Sequence, residues 1–351
     1  MVRRRMSEAH PIGIGIIGLG RSGWNLHAAT VGTHPAYRIC AVADPLAERR
    51  EEARQRFGCQ TYATPEELIA DPSCEVVTVA TPSHTHAPLA VTALGAGRHV
   101  VVEKPVAQSL EEIDAMIAAA GRAGRVLAGF QPLRFAPDFV TVRDVIASGR
   151  LGRVILIRRR SGAFSRRADW QMFRRFGGGE LANNGPHLLD QVLALIGEGP
   201  VEVFADLQHT VGAGDAEDHV KLCLRGASGI TADIEVTRCD AFPPPEWSVL
   251  GTAGGVSGST RELHLRWFDP AELPALRADP GAAAGRRYGT GETIPWHEEI
   301  IRPRAERTPY ALFYDGLADT LQRGTPLAVP PGDLRRQIEV ITRARAAARI
   351  G

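Results

Sequence analysis

The stretch that most constrains this chain is Ile12–Leu26, IGIGIIGLGRSGWNL. Its isoleucines read as a buried strand, the strand breaks at Gly18-Leu19-Gly20-Arg21-Ser22-Gly23, and a helical pattern follows. Each glycine has a separate job. Gly18 permits the tight turn, and Gly20 has no side chain to keep a pyrophosphate off the backbone. Gly23 lets the helix pack closely on the strand, so that its amino-terminal amides, with Arg21 and Ser22 on the same turn, face an anion. The next strand, Tyr37–Ala43, ends at Asp44, twenty-one residues after Gly23. That spacing puts a carboxylate on the ribose hydroxyls of an adenine dinucleotide.

A chain of 351 residues has room for two domains, each with its own core. A formal net charge of +1 supplies no global field toward nucleic acid or an anionic membrane. No apolar run reaches the ~18 residues a bilayer span requires. The opening MVRRRMSEAHP carries arginines without an apolar segment behind them and reads as a short disordered lead. The five cysteines, Cys40, Cys59, Cys74, Cys223 and Cys239, are odd in number and include no C-x-x-C pair. They suggest neither a disulfide framework nor a metal site, and point to a reducing cytoplasm. The only lysines are Lys104 and Lys221, which makes each worth a question.

Up to about residue 134, short apolar runs (Ile12–Ile17, Arg38–Ala43, Val76–Ala80, His99–Val102, Val126–Ala128) alternate with helical patterns. The alternation predicts a doubly wound parallel sheet, an α/β Rossmann domain over residues 1–134, with its chemistry on the loops at the strands' carboxyl ends. Three such loops stand out. One carries Thr81, Pro82, His84 and His86; the next carries Glu103-Lys104-Pro105; the third carries Gln131 and Arg134. All three are expected to open on the nicotinamide half of a bound dinucleotide.

Beyond about residue 135 the strands lengthen and helices thin out: Val154–Arg160, Val201–His209, His219–Leu224, Ile230–Val236 and Trp247–Gly251. The pattern is that of an α+β domain with an open, largely antiparallel sheet over 135–330. One helix interrupts it, Pro186–Ile196, preceded by Gly177-Gly178-Gly179-Glu180-Leu181-Ala182-Asn183-Asn184-Gly185. Residues 269–308 read as a surface excursion. The helix beginning near Leu334 is expected to pack back on the first domain, making 331–351 a third segment.

Oxidising an alcohol needs a hydride acceptor and a proton acceptor. Lys104, in a rim loop, and His187, at the start of the interrupting helix, are the candidate proton-transferring groups. Asn183, Asn184, Trp170 and Arg134 are candidates for holding the substrate. GLGRSG, TPSHTH, EKP and GGGELANNGPHLLD together resemble the Gfo/Idh/MocA family of nicotinamide-dependent oxidoreductases, over roughly residues 12–250 plus the terminal helices. The resemblance implies a Rossmann domain followed by an open antiparallel sheet that forms homodimers or homotetramers. It also implies carbohydrate-like substrates (sugars, polyols, cyclitols), with the family's lysine on Lys104 and its active-site histidine on His187. The chain departs from the family at Asn183, where the common pattern has Asp; an amide carries no proton at physiological pH.

Asp44 favours NAD, because a carboxylate accepts from a 2′-hydroxyl and repels a 2′-phosphate; Arg49 and Arg50 keep NADP open. The arginines Arg158–Arg160, Arg166, Arg167, Arg174 and Arg175 read as solvated charges, or, in one or two cases with Trp170, as a clamp for a substrate carboxylate. The expected activity is hydride transfer between NAD(P) and a secondary alcohol of a sugar, sugar acid, polyol or cyclitol, without nucleic acid or membrane as partner. The alternatives are transient use of NAD for elimination or hydrolysis of a sugar derivative, and a dinucleotide-binding protein without turnover.

Overall fold

The computed structural model describes residues 10–278, 280–281, 289 and 291–348. The arginine-rich lead, part of the 269–308 stretch and the last three residues lie outside the described residues.

Six parallel strands form the first sheet: β1 (Ile12–Ile17), β2 (Tyr37–Ala43), β3 (Gln60–Tyr62), β4 (Val76–Val79), β5 (His99–Val102) and β6 (Leu127–Gly129), in the order β3-β2-β1-β4-β5-β6. Every residue of β1 and β4 is buried, as helices on both faces of a parallel sheet demand. The chain leaves β1 toward β2 on one side and returns to β4 on the other. The crevice outside the carboxyl ends of β1 and β4 is therefore the switch point where ligands bind in open α/β sheets.

Helices α2 (Ala47–Phe57), α3 (Pro65–Ala70), α4 (His86–Gly95) and α5 (Leu110–Ala123) cover this sheet. Ser109 caps α5 by accepting from the Glu112 amide, and Thr64 with Glu67 forms a capping box on α3. The helix after the glycine turn begins as a wider π-helical segment, Gly23–Ala28, before one α-helical turn, α1 (Ala29–Val31). β3 was not legible beforehand, because Gln-Thr-Tyr at a sheet edge has neither apolar run nor alternation.

The second sheet has eight strands, in the order β14-β13-β12-β11-β7-β10-β9-β8. They are β7 (Val154–Gly162), β8 (Val201–Gln208), β9 (His219–Gly226), β10 (Thr231–Thr237), β11 (Trp247–Gly251), β12 (Gly254–Gly258), β13 (Leu263–Trp267) and β14 (His297–Ile301). All pairings are antiparallel except β7 with β10. The last three strands extend the sheet past the expected edge. Gly-Gly-Val-Ser-Gly has little strand propensity of its own and is held by register, Val256 opposite Val249 on one side and Leu265 on the other.

One face of this sheet packs on α6 (Pro137–Ala147) and on α8 (Gly185–Leu195), which a short helix α7 (Glu180–Asn183) precedes. At its centre Arg159 lies over the Trp247 ring at 4.6 Å and donates to Gln191 Oε1, while Trp247 Nε1 donates to Asp138 Oδ2. Two final helices join the halves. α9 (Pro309–Arg323), grouped beforehand with the second domain, buries Phe313, Tyr314 and Leu317 against Ile12, Ile14 and Phe130 of the first. α10 (Pro331–Ala347) packs on α5 and β6 and equally on α8 and β8.

Candidate active site

Gly18 adopts φ +90°, and a Cβ there would lie 2.6 Å from the Ala80 carbonyl oxygen. A Cβ on Gly23 would lie 1.8 Å from the carbonyl oxygen of Gly18, so the helix start touches the turn itself. Gly20 differs: nothing stands within 4 Å of where its Cβ would be. It faces a cleft of about 500 Å³ lined also by Gly18, Asp44, Arg49, Thr81 and Pro82. The open backbone at Gly20 fits a diphosphate, which needs close amide approach with no side chain between.

Asp44 is buried at the end of β2. Its Oδ2 accepts from the Leu19 amide (2.7 Å) and lies 3.4 Å from Arg49 Nη1, and its Oδ1 accepts from the Leu46 amide (3.0 Å). Arg50 donates to the main-chain carbonyls of Asp44 and Pro45. Neither arginine is a free solvated charge; both wrap the acid that faces the cleft.

A second cleft, of about 450 Å³, adjoins the first and shares Arg21, Ser22 and Gln171 with it. Lys104, His187, Asn183 and Asn184 line it together, although 79 residues separate Lys104 from Asn183. Lys104 Nζ donates to Asn183 Oδ1 (2.8 Å) and to the Asn183 main-chain oxygen (2.9 Å), leaving one of its three protons uncommitted. Burial lowers the Lys104 pKa from the ordinary lysine value; Glu103 and Glu180 oppose this, and Arg21 and Arg167 reinforce it. Burial also presses His187 down to about 4, helped by the Lys104 charge and opposed by Glu103, so its imidazole is neutral at physiological pH.

Glu103 lies behind Lys104. Burial pushes its carboxyl up, but the hydrogen bond and charge of His27, with Lys104 and its amide, bring it to about 2. His27 Nε2 meets Glu103 Oε1 at 3.1 Å, and His27 Nδ1 meets the Tyr314 hydroxyl of α9 at 2.7 Å.

The triple glycine delivers Asn183 and His187 to this cleft. Gly179 has φ +104°, and a Cβ there would lie 2.1 Å from Glu217 Oε1. Glu217 in turn accepts from the Leu181 amide, fixing the start of α7.

Several candidate residues sit elsewhere. Arg134 forms a fork on Asp190 (2.8 and 2.7 Å) with Asp333 at 3.3 Å, tying α8 to α10 rather than reaching substrate. Two of its three nitrogens are engaged by carboxylates, and Nη1 reaches the Ala328 carbonyl oxygen. His86 is buried with Nδ1 2.8 Å from the Pro105 carbonyl oxygen and Nε2 2.9 Å from that of Thr81, pinning two rim loops together instead of facing the dinucleotide. His84 is exposed and lines neither cleft. Gln131 is buried and lines neither; its Oε1 lies 3.1 Å from His187 Nδ1. Trp170 lines the first cleft beside the glycine turn and a smaller pocket with Lys104 and Asn183, but not the wall that holds His187.

Of the arginine cluster, Arg158 and Arg160 lie on the outer sheet face beside Asp233. Arg167 lines the second cleft but is forked onto Asp169. The sequence reading missed Glu180, Gln171 and Arg238. Glu180 is buried, accepts from Asn184 Nδ2 (2.5 Å), and takes Arg238 Nε on its other oxygen (2.9 Å). It was visible in GGGE, but nothing in one sequence distinguishes it from a helix-start acid. Arg238 follows β10 and has no local signal at all. Among the described residues no three His, Cys, Asp or Glu side chains cluster as a metal site.

Comparison with known proteins agrees with this geometry. Residues 12–130 match the family model described as "Oxidoreductase family, NAD-binding Rossmann fold", and residues 139–257 match the "GFO/IDH/MocA C-terminal domain". The chain is 31% identical to the Escherichia coli oxidoreductase YdgJ over 218 residues, 61% of each chain. It is 30% identical to myo-inositol 2-dehydrogenase of Thermotoga maritima, over 64% of this chain and 68% of that one. The first curated relatives are matched over about three-fifths of their own length (61%, 60% and 59%). A solved NAD-binding protein from Listeria innocua superposes with TM-score 0.81 at 26% identity, covering 96% of this chain and 97% of that one.

Proposed function

The chain belongs to the Gfo/Idh/MocA family of oxidoreductases, and from that premise we propose that it transfers hydride between NAD and a secondary alcohol of a sugar, sugar acid, polyol or cyclitol. The observation that carries this reading is the meeting of Lys104 and His187 on one cleft, next to the open backbone at Gly20. A relative named for a cyclitol, myo-inositol, supports the substrate class.

When bound, the nicotinamide supplies the hydride acceptor. The glycine turn would hold the diphosphate, and Asp44 would take a ribose hydroxyl on acceptor capacity that the Leu19 and Leu46 amides and Arg49 leave free. Lys104 and His187 handle the substrate's proton between them, since the Asn183 amide carries none. Asn183 accepts from Lys104 and so aims the ammonium. Arg238, with only its Nε engaged by Glu180, offers its terminal nitrogens to hydroxyls or a carboxylate at the far side of the cleft.

The same reading makes the protein a cytoplasmic homo-oligomer. Its outer sheet face bears exposed Phe204, Leu250 and Ile300 around a ladder in which Lys221 and Arg158 flank Asp233.

A panel of sugars, sugar acids and cyclitols, assayed with NAD and with NADP by nicotinamide absorbance, tests the function. Reduction of NAD by at least one compound is expected. Tight NAD binding with no turnover across the panel would overturn it in favour of a binding protein or a transient-oxidation enzyme.

A further inference from the structure

A hydrogen-bonded chain behind His187 has its polarity set at one end by a group whose role is fixed. Gln337, on α10, donates from Nε2 to the Pro186 carbonyl oxygen at 2.6 Å. A carbonyl oxygen only accepts, so the Gln337 amide is oriented and its Oε1 must face the other way. There it accepts from Gln131 Nε2 at 3.0 Å. Gln131 is thereby oriented too, and its Oε1 faces His187 Nδ1 at 3.1 Å. An amide oxygen accepts only, so Nδ1 carries the ring proton. Both glutamines are 1% exposed.

We propose that Gln131 and Gln337 are positioning residues that fix the tautomer of His187, leaving Nε2 as a lone-pair acceptor for the substrate hydroxyl. The proposal rests on the hydride-transfer reading and assigns its proton. On oxidation the hydroxyl proton passes to Nε2, the C–H electron pair leaves as hydride to the oxidised nicotinamide, and the C–O bond becomes a carbonyl. Lys104, with two protons already given to Asn183, uses the third as donor to the same oxygen. The ring becomes an imidazolium that still donates Nδ1–H to Gln131. In this chain an amide relay rooted in the carboxyl-terminal helix therefore does the orienting that a carboxylate does in a Ser-His-Asp triad.

The charged groups that share His187's surroundings are Lys104 and Glu103 after β5, Arg21 in the glycine turn, Arg167 after β7 and Arg238 after β10. Among the described residues none of these groups hydrogen-bonds the ring, whose Nδ1 faces Gln131 Oε1.

The test reads the ring directly, without substrate. In ¹⁵N-histidine-labelled full-length protein, His187 is assigned by loss of its signals in His187→Gln. The expected wild-type pattern at neutral pH is a protonated Nδ1 and an unprotonated Nε2. Gln337→Met, which never touches the ring, frees Gln131 to turn its amide, and the proton is expected to move to Nε2. Gln337→Glu keeps an acceptor for Gln131 in either protonation state and is expected to retain the wild-type pattern. Gln131→Glu puts a carboxylate on Nδ1–H and is expected to raise the His187 titration midpoint above about 4.

A wild-type ring protonated on Nε2 would overturn the proposal whether or not the variants fold. An unchanged tautomer in folded Gln337→Met would do so as well. NAD titration followed by tryptophan fluorescence runs in parallel: failure to bind NAD would sink the functional reading while leaving the tautomer result intact.

Discussion

At the scale of single residues, Lys104 and Asp44 carry the clearest consequences. Lys104 gives two protons to Asn183 and keeps one for a ligand, so Lys104→Met removes both the charge and the last donor. A fall in kcat of about 10²-fold or more is expected, the order lost with one hydrogen-bond donor to the reacting oxygen, with NAD affinity nearly unchanged. Steady-state kinetics beside a fluorescence titration would check it.

At Asp44 the carboxylate that faces the cleft meets Arg49, while Arg50 holds the main-chain carbonyl of the same residue. Asp44→Asn removes the charge that repels a 2′-phosphate and leaves Arg49 and Arg50 to attract it. The ratio of catalytic efficiencies, NADP over NAD, should rise by about tenfold or more, a fraction of the ~4 kcal/mol between unit charges at 4 Å near a protein surface. The substitution keeps one accepting oxygen but sets an NH2 group against the other of the Leu19 and Leu46 amides, so a stability loss of ~1–3 kcal/mol in urea unfolding should accompany the switch.

At the scale of elements, the site depends on how two loops are clamped. The loop after β5 is fixed by Glu103, which takes His27 from the π-helical segment on one oxygen and the Lys104 amide on the other, while Tyr314 of α9 holds the far nitrogen of His27. Glu103 titrates near 2 in the folded chain, below the ordinary 4.5. A carboxyl with a depressed folded value binds fewer protons than its unfolded counterpart. Its stabilisation is therefore whole above about pH 4.5 and drains away as pH falls toward about 2. Urea unfolding across that window should show a drop in wild type that is reduced in Glu103→Gln, whose side chain does not titrate. The loop before α8 is clamped differently: Gly179 at φ +104° admits Glu217 where any side chain would collide.

At the scale of the whole molecule, the second sheet leaves one broad face uncovered. Its centre is not plainly apolar: Lys221, Asp233, Glu235 and Arg158 form a charge ladder, with Phe204, Leu250 and Ile300 exposed around it. In the proposed homo-oligomer this face would meet a second copy of itself, since opposite charges alternate across it. Phe204→Asp combined with Leu250→Asp should lower the mass seen by light scattering from an oligomer to a monomer without changing the circular dichroism. A wild-type chain that is already monomeric at micromolar concentration would exclude this assembly.

The sequence by itself determined the class of fold and pointed to the loops where its chemistry is proposed. Buried isoleucines ending in GLGRSG, with Asp44 one strand later, are local signals: periodicity and backbone sterics act within a few residues. EKP and GGGELANNGPH likewise marked Lys104 by its place in a rim loop and His187 by its place at a helix start. Tertiary structure decided everything that hangs on two segments meeting. It brought Lys104 onto Asn183, spent Arg134 on Asp190, turned Gln131 away from the cleft toward His187, and supplied Gln337 from a helix 150 residues downstream of that histidine. Strands β12 to β14 belong to the same class, since Gly-Gly-Val-Ser-Gly becomes a strand only when a neighbour offers its hydrogen bonds. A side chain's type is written in the chain, but which partner satisfies its hydrogen bonds is settled by packing, and for a buried amide or imidazole the partner is what fixes its chemical role.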